Sequence, residues 1–234
     1  MSDPTAQTPA APTTDVTGAW DVSLAEIDAM GLKAARGAGF AWGMAQEAGR
    51  AARWLASYGL PGPETLANLL QIIDGENERH TPVADGPVWH GRGGPMCPIH
   101  LGTVLSDRAH EITDSRHMTA GALDLPILVL PFLCRVARDL DMTLMMELQA
   151  LTAYATPTGP ALEDLQAPWP GTTERLVVSR VAASAWTPRS NKPDAHTIRL
   201  DIWRVLDGFA QRTYVPTTEQ SRATGAGSGL DDND

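Results

Sequence analysis

Two apolar periods overlap over residues 198–209. Ile198, Leu200 and Ile202 alternate as in a strand, whereas Ile198, Ile202, Val205 and Phe209 fall three or four apart, as on a helix face. The helical period carries further along the chain and predicts a helix after Asp201. The apolar and partly β-branched run at 125–130 predicts a strand, as do 142–148 and 175–182. Pro131 is placed to open a short helix after the first of these runs.

The N-terminal part reads as helices. Ser23 and Glu26 have the spacing of a capping box, in which each side chain satisfies an exposed amide of the other residue, so a helix is expected from Leu24 to about Arg36. Gly37 and Gly39 mark a break or a close packing contact. A second helix follows over 40–57 and is ended by Gly59 and Pro61. Pro63 suits the first position of a third helix that ends near Ile73. Residues 74–98 interleave Gly75, Gly86, Gly91, Gly93 and Gly94 with Pro82, Pro87 and Pro95, the composition of a long loop. These elements predict an α+β fold, with a helical N-terminal part packed on a small mixed sheet.

Composition narrows the class. At 234 residues, 43% hydrophobic and 20% charged, the chain is long enough for one domain with a full core, expected over 21–234 and including the Gly-rich C-terminal segment. Residues 1–20 are rich in Thr, Pro and Ala, lack a basic n-region and an apolar core, and read as a disordered leader. A formal net charge of -10 argues against nucleic acid and against an anionic membrane surface as partners. No apolar run is long enough to span a bilayer. With Cys97 and Cys134 the only cysteines, no disulfide framework is indicated, and reduced thiols in the cytoplasm are expected.

The densest chemistry lies where glycines interrupt a helical pattern. A helix continuous through this region would carry Arg36, Phe40, Gly43, Glu47, Arg50 and Trp54 on one face. Interior glycines cost a helix about 1 kcal/mol each relative to alanine, so they need a packing or ligand reason. As a binding site, Gly43 would admit a ligand or a neighbouring backbone, and Arg36 and Arg50 would bind an anionic group. Trp42 would offer an aromatic face, and Glu47 would serve as acid, base or orienting partner. As structure alone, the glycines mark close helix packing and Glu47 with Arg50 is a surface pair.

A second block runs from Arg212-Thr213-Tyr214-Val215-Pro216 to Asp234. Thr217 and Gln220 have capping-box spacing, so a short helix would hold Glu219, Ser221 and Arg222, and Gly225 and Gly227 belong to a loop able to face an anion. The block from Ala35 to Gly49 (Ala-Arg-Gly-Ala-Gly-Phe-Ala-Trp-Gly-Met-Ala-Gln-Glu-Ala-Gly), with the block from Arg212 to Asp234, resembles an uncharacterised bacterial domain-of-unknown-function family. The resemblance covers about Val22 to the C-terminus. It implies that the last residues belong to the domain, and it implies no reaction or cofactor.

Other constellations are weaker. Cys97 and His100, three apart, would pair as nucleophile and base only if a turn brought them together, and a buried apolar cysteine is the simpler role. His80, His90, Cys97, His100 and His110 supply metal donors without paired CxxC units or an HExxH helix, so no metal is expected, and no motif for an organic cofactor is present.

Two functions follow from these residues. The first is a cytoplasmic metabolic enzyme of lyase, isomerase or hydrolase type, acting by side-chain acid-base chemistry on a small polar, anionic metabolite. Glu47, Tyr214 and Glu219 would be catalytic, and Arg36, Trp42, Gly43, Arg50, Ser221, Arg222, Gly225 and Gly227 would bind substrate. The second is a noncatalytic ligand-binding or accessory subunit of a metabolic complex, with a second copy or another subunit as partner.

Overall fold

The computed structural model describes residues 18–149, 151–162, 168–182 and 194–214. Strand β1 (Ala19–Ser23) runs straight into helix α1 (Leu24–Gly37). The joint is the expected capping box: the Ser23 hydroxyl accepts the Glu26 amide at 3.2 Å, and the Glu26 carboxylate accepts the Ser23 amide at 2.9 Å. Ala19 and Trp20, expected in the leader, are therefore strand residues, and residues 1–17 lie outside the described residues.

Helix α1 stops because Gly39 takes a left-handed backbone, φ +95°, which turns the chain back on itself. Helix α2 (Trp42–Ser57) then packs along α1. The two backbones meet at Gly31 and Gly49: a methyl group on Gly49 would lie 2.6 Å from the Asp28 carbonyl oxygen, and one on Gly31 would lie 2.9 Å from the Gly49 Cα. Close packing is the physical reason for Gly49. Helix α3 (Gly62–Ile73) follows with Pro63 in its first turn.

The expected long loop at 74–98 contains two short strands, β2 (Pro82–Val83) and β3 (Val88–Gly91), before helix α4 (Pro98–Asp107). Strands β4 (Met118–Ala120) and β5 (Leu123–Asp124) come next. The run at 125–130, expected as a strand, is instead the 3-10 turn Pro126–Val129 leading into helix α5 (Leu130–Asp139). Pro126 and Pro131 both sit at helix-start positions that suit their fixed φ. Ile127, Leu128, Val129, Leu130, Phe132 and Leu133 are all buried, so the unbroken apolar run reflects burial on every side rather than strand alternation.

Strands β6 (Thr143–Glu147), β7 (Thr152–Thr156), β8 (Gly159–Leu162), β9 (Thr172–Thr173) and β10 (Leu176–Val181) follow, the first and last of these close to the expected bounds. Over 195–211 the helical period prevails: strand β11 (Ala195–Arg199) holds only Ile198 of the alternating set, and helix α6 (Leu200–Gln211), which starts one residue before Asp201, holds Leu200 and Ile202 with Val205 and Phe209.

Seven strands form one sheet in the order β2-β3-β4-β10-β6-β7-β8. Strands β3 and β4 are parallel and the other neighbours antiparallel, so the sheet is mixed and the fold is α+β. Strand β1 pairs with β11, and β5 with β9, in separate two-stranded ribbons. Leu144, Met146, Ala153, Ala155, Leu176 and Val178 bury one face of the sheet, with α5 packed against β6 and β7. These residues share one hydrophobic core with α1 to α4. Among the described residues, no helix is long and apolar enough to cross a membrane.

Candidate functional site

Helices α2 and α5 pack beside the β7–β8 turn and leave a cleft of about 230 Å³ between them. Helix α2 presents Glu47, Arg50 and Trp54 at helical spacing, with Tyr58 just beyond its last turn. Helix α5 presents Phe132, Arg135 and Arg138, and the turn adds Thr158. Trp54 and Tyr58 stack with ring centroids 4.5 Å apart and planes tilted by 41°.

Glu47 ties the two helices together. Arg50 donates to its Oε1 at 3.0 Å, and Arg135 donates to its Oε2 at 2.8 Å. The Arg135 guanidinium also lies 5.2 Å from the centroid of the Phe132 ring, and a second nitrogen reaches the Ser106 hydroxyl at 3.4 Å. Arg138 pairs with Asp139 at 3.0 Å. Three guanidiniums and one carboxylate therefore line the cleft, a local excess of positive charge in a chain of net charge -10.

Burial tunes the remaining groups. Desolvation raises the Tyr58 phenol above its ordinary value, with the Cys134 thiol adding to the shift and Arg138 opposing it, so Tyr58 is a protonated donor. The Cys134 thiol is itself pushed up by burial and forms part of the cleft wall.

The continuous stripe expected over Arg36 to Trp54 does not form, because the Gly39 turn separates α1 from α2. Glu47, Arg50 and Trp54 keep their shared face. Arg36, at the end of α1, donates to the Phe40 carbonyl and lies 6.0 Å from the Trp42 ring centroid. Trp42 is 60% exposed. Gly43 faces open space, with no atom within 4 Å of an added methyl, so it serves no close approach. None of Arg36, Trp42 and Gly43 lines the cleft. Tyr214, 56% exposed, follows α6, which packs on α1 and α3, and is not among the cleft residues. Glu219, Ser221, Arg222, Gly225 and Gly227 lie outside the described residues.

Tyr58, Arg135 and Arg138 escaped the sequence reading. The signal for the two arginines was their spacing of three on the helix that Pro131 opens, which places both on one face. Nothing local in the sequence pairs that face with Glu47, 88 residues away.

Cys97 and His100 form no nucleophile-base pair in a cleft. Cys97 is fully buried and its thiol is pushed up to about 12 by burial. The His100 ring stacks on Phe40 at 5.3 Å, and its Nδ1 is buried without a hydrogen-bond partner. Burial, and secondarily the nearby His80, hold the His100 imidazole below its ordinary value. His80 is fixed by a 2.7 Å contact between its Nδ1 and the Pro95 carbonyl oxygen. Among the described residues, no group of three or more His, Cys, Asp or Glu is placed to hold a metal ion.

An α+β protein with an arginine-rich cleft between two helices is thus defined. Residues 22–85 match the model of a family described as a protein of unknown function, DUF3726. The match takes in the block from Ala35 to Gly49 and all of α2, and it stops short of α5 and of the block from Arg212 to Asp234. No curated protein matches the chain. A solved structure of malate dehydrogenase from Pyrococcus horikoshii OT3 is similar over 65% of this chain, at 13% identity and a TM-score of 0.45. The alignment spans about half of that protein, 51% of its chain.

Proposed function

We propose that the protein binds a small organic anion in the cleft between α2 and α5. The observation that carries this reading is the Glu47 carboxylate bridging Arg50 and Arg135, which fixes two guanidiniums from different helices at the mouth of one concave site. Guanidiniums held in this way recognise carboxylate or phosphate through paired N-H donors, and Arg138 adds a third cation. Glu47 acts here as the orienting partner, since each of its oxygens already accepts from an arginine. A cytoplasmic location accords with two free buried thiols.

Acid-base turnover of the bound anion is a second reading, favoured by Tyr58. Its phenol lies in the same cleft as the arginines, beside the place where the anion would bind.

Thermal unfolding with malonate and with inorganic phosphate tests the binding reading. A ligand at 100 times its dissociation constant stabilises by about 2.7 kcal/mol, a shift of several degrees. The expected result is stabilisation of the wild-type protein that is lost in Arg135→Gln. Equal shifts in both proteins, or no shift of the wild type with phosphate or with any small carboxylate, would reject the cleft as the anion site.

A further inference from the structure

The cleft has two chemically distinct sides. Arg50, Arg135 and Glu47 make one side ionic, whereas Trp54, Tyr58 and Phe132 make the other aromatic. They join at Arg135, whose guanidinium covers the Phe132 ring while donating to Glu47. A short dicarboxylate or inorganic phosphate engages the ionic side and leaves the half-buried Trp54 and Tyr58 rings facing water, whereas Phe132 is buried beneath Arg135. Volume narrows the choice further. An apolar cavity of about 150 Å³ admits one benzene ring, and pockets that take drug-sized ligands measure about 300–1,000 Å³. At about 230 Å³ this cleft has room for one six-membered ring and an acid head.

We propose that the ligand class is an aryl carboxylate, its acid group on Arg50 and Arg135 and its ring against Trp54 and Tyr58. The proposal rests on the reading of the cleft as an anion site and adds the selection of a flat apolar body. Ring-to-ring contact and removal of apolar surface from water supply the preference, and neither is available to malonate or phosphate.

Titration calorimetry on the full chain with benzoate, malonate and inorganic phosphate tests it. Benzoate is expected to bind about tenfold or more tightly than either other anion, the ratio that one ring contact sustains. Trp54→Leu, or Tyr58→Leu if the first variant fails to fold, is expected to lower benzoate affinity about tenfold and to change malonate affinity by less than about twofold. Benzoate no tighter than malonate would overturn the aryl selection and leave the anion site standing. Benzoate preference retained in a folded Trp54→Leu or Tyr58→Leu variant would overturn it as well, since the ring would then sit elsewhere. Failure of all three anions to bind would remove the anion site itself.

Discussion

Glu47 on α2 and Arg135 on α5 meet at 2.8 Å across a sequence separation of 88 residues, and their side chains are 18% and 35% exposed. Partial exposure limits what the pair contributes to stability: ion pairs in contact with water typically couple by up to about 1 kcal/mol and weaken with salt. A double-mutant cycle of Glu47→Ala and Arg135→Ala, read by urea unfolding, is expected to give a coupling of about 0.5–1 kcal/mol that falls in 1 M salt. A salt-insensitive coupling of several kcal/mol would mean that the cleft is dry and the pair structural.

Two glycines of α2 are expected to respond in opposite directions to the same change. Alanine at either gains up to about 1 kcal/mol of helix propensity. At Gly49 the added methyl would lie 2.6 Å from the Asp28 carbonyl oxygen, a backbone atom that no rotamer change can move, and overpacking of this kind costs about 1–3 kcal/mol. Gly49→Ala is therefore expected to destabilise by about 1–2 kcal/mol as α1 and α2 are forced apart. Gly43→Ala meets no atom within 4 Å and is expected to stabilise by a few tenths to about 1 kcal/mol. Denaturant midpoints of the two variants check both signs, and a stabilising Gly49→Ala would remove the packing account of that residue.

The first three helices were legible because their ends carry local chemistry: Ser23 and Glu26 at one start, Gly59 and Pro61 at one stop, Pro63 in a first turn. Strands β6 and β10 were legible from their apolar runs. The start of α5 was legible at Pro131, whereas burial from all sides hid the 3-10 turn before it, since residues 127–130 are apolar whichever way they face and periodicity has nothing to grip. The Gly39 turn was visible as a break, yet the face drawn through it assumed continuity and joined Arg36 to Glu47. Half of the candidate site was therefore within reach of the sequence. Glu47, Arg50 and Trp54 follow from helical spacing on α2, whereas their opposition to Arg135 and Arg138 is set by tertiary packing of helices far apart in the chain.

A half-buried histidine and a buried aspartate make stability depend on pH with opposite signs. Burial holds His100 below its ordinary 6.5, so the native state binds fewer protons than the unfolded chain below that pH. Its contribution is complete above 6.5 and is lost as pH falls through the native value. Desolvation holds Asp124 above its ordinary 3.8, with His80 and Thr172 opposing the shift, so its contribution is present at low pH and lost as pH rises through the native value. Unfolding followed from pH 8 to pH 5 is expected to show a decline for wild type that His100→Phe flattens. Asp124→Asn is expected to raise stability at neutral pH. A decline unchanged by His100→Phe would place the acid sensitivity on another group.

Both thiols are expected to resist modification in the native protein. An ordinary cysteine with a pKa of about 8.5 is roughly one-quarter thiolate at pH 8, whereas a thiol at about 12 is thiolate in about one molecule in ten thousand. Cys97 is 0% exposed and Cys134 6%, so access is restricted as well as ionisation. An aromatic disulfide reagent at pH 8 should react with the native chain at least about a hundredfold more slowly than with the same chain unfolded in guanidinium, where both limits vanish. Cys134 makes the experiment informative because it lines the cleft. If one thiol reacted quickly in the native state and an anion slowed it, the reagent would have entered from the cleft, and Cys134 would be an accessible reactive group instead of a protonated wall.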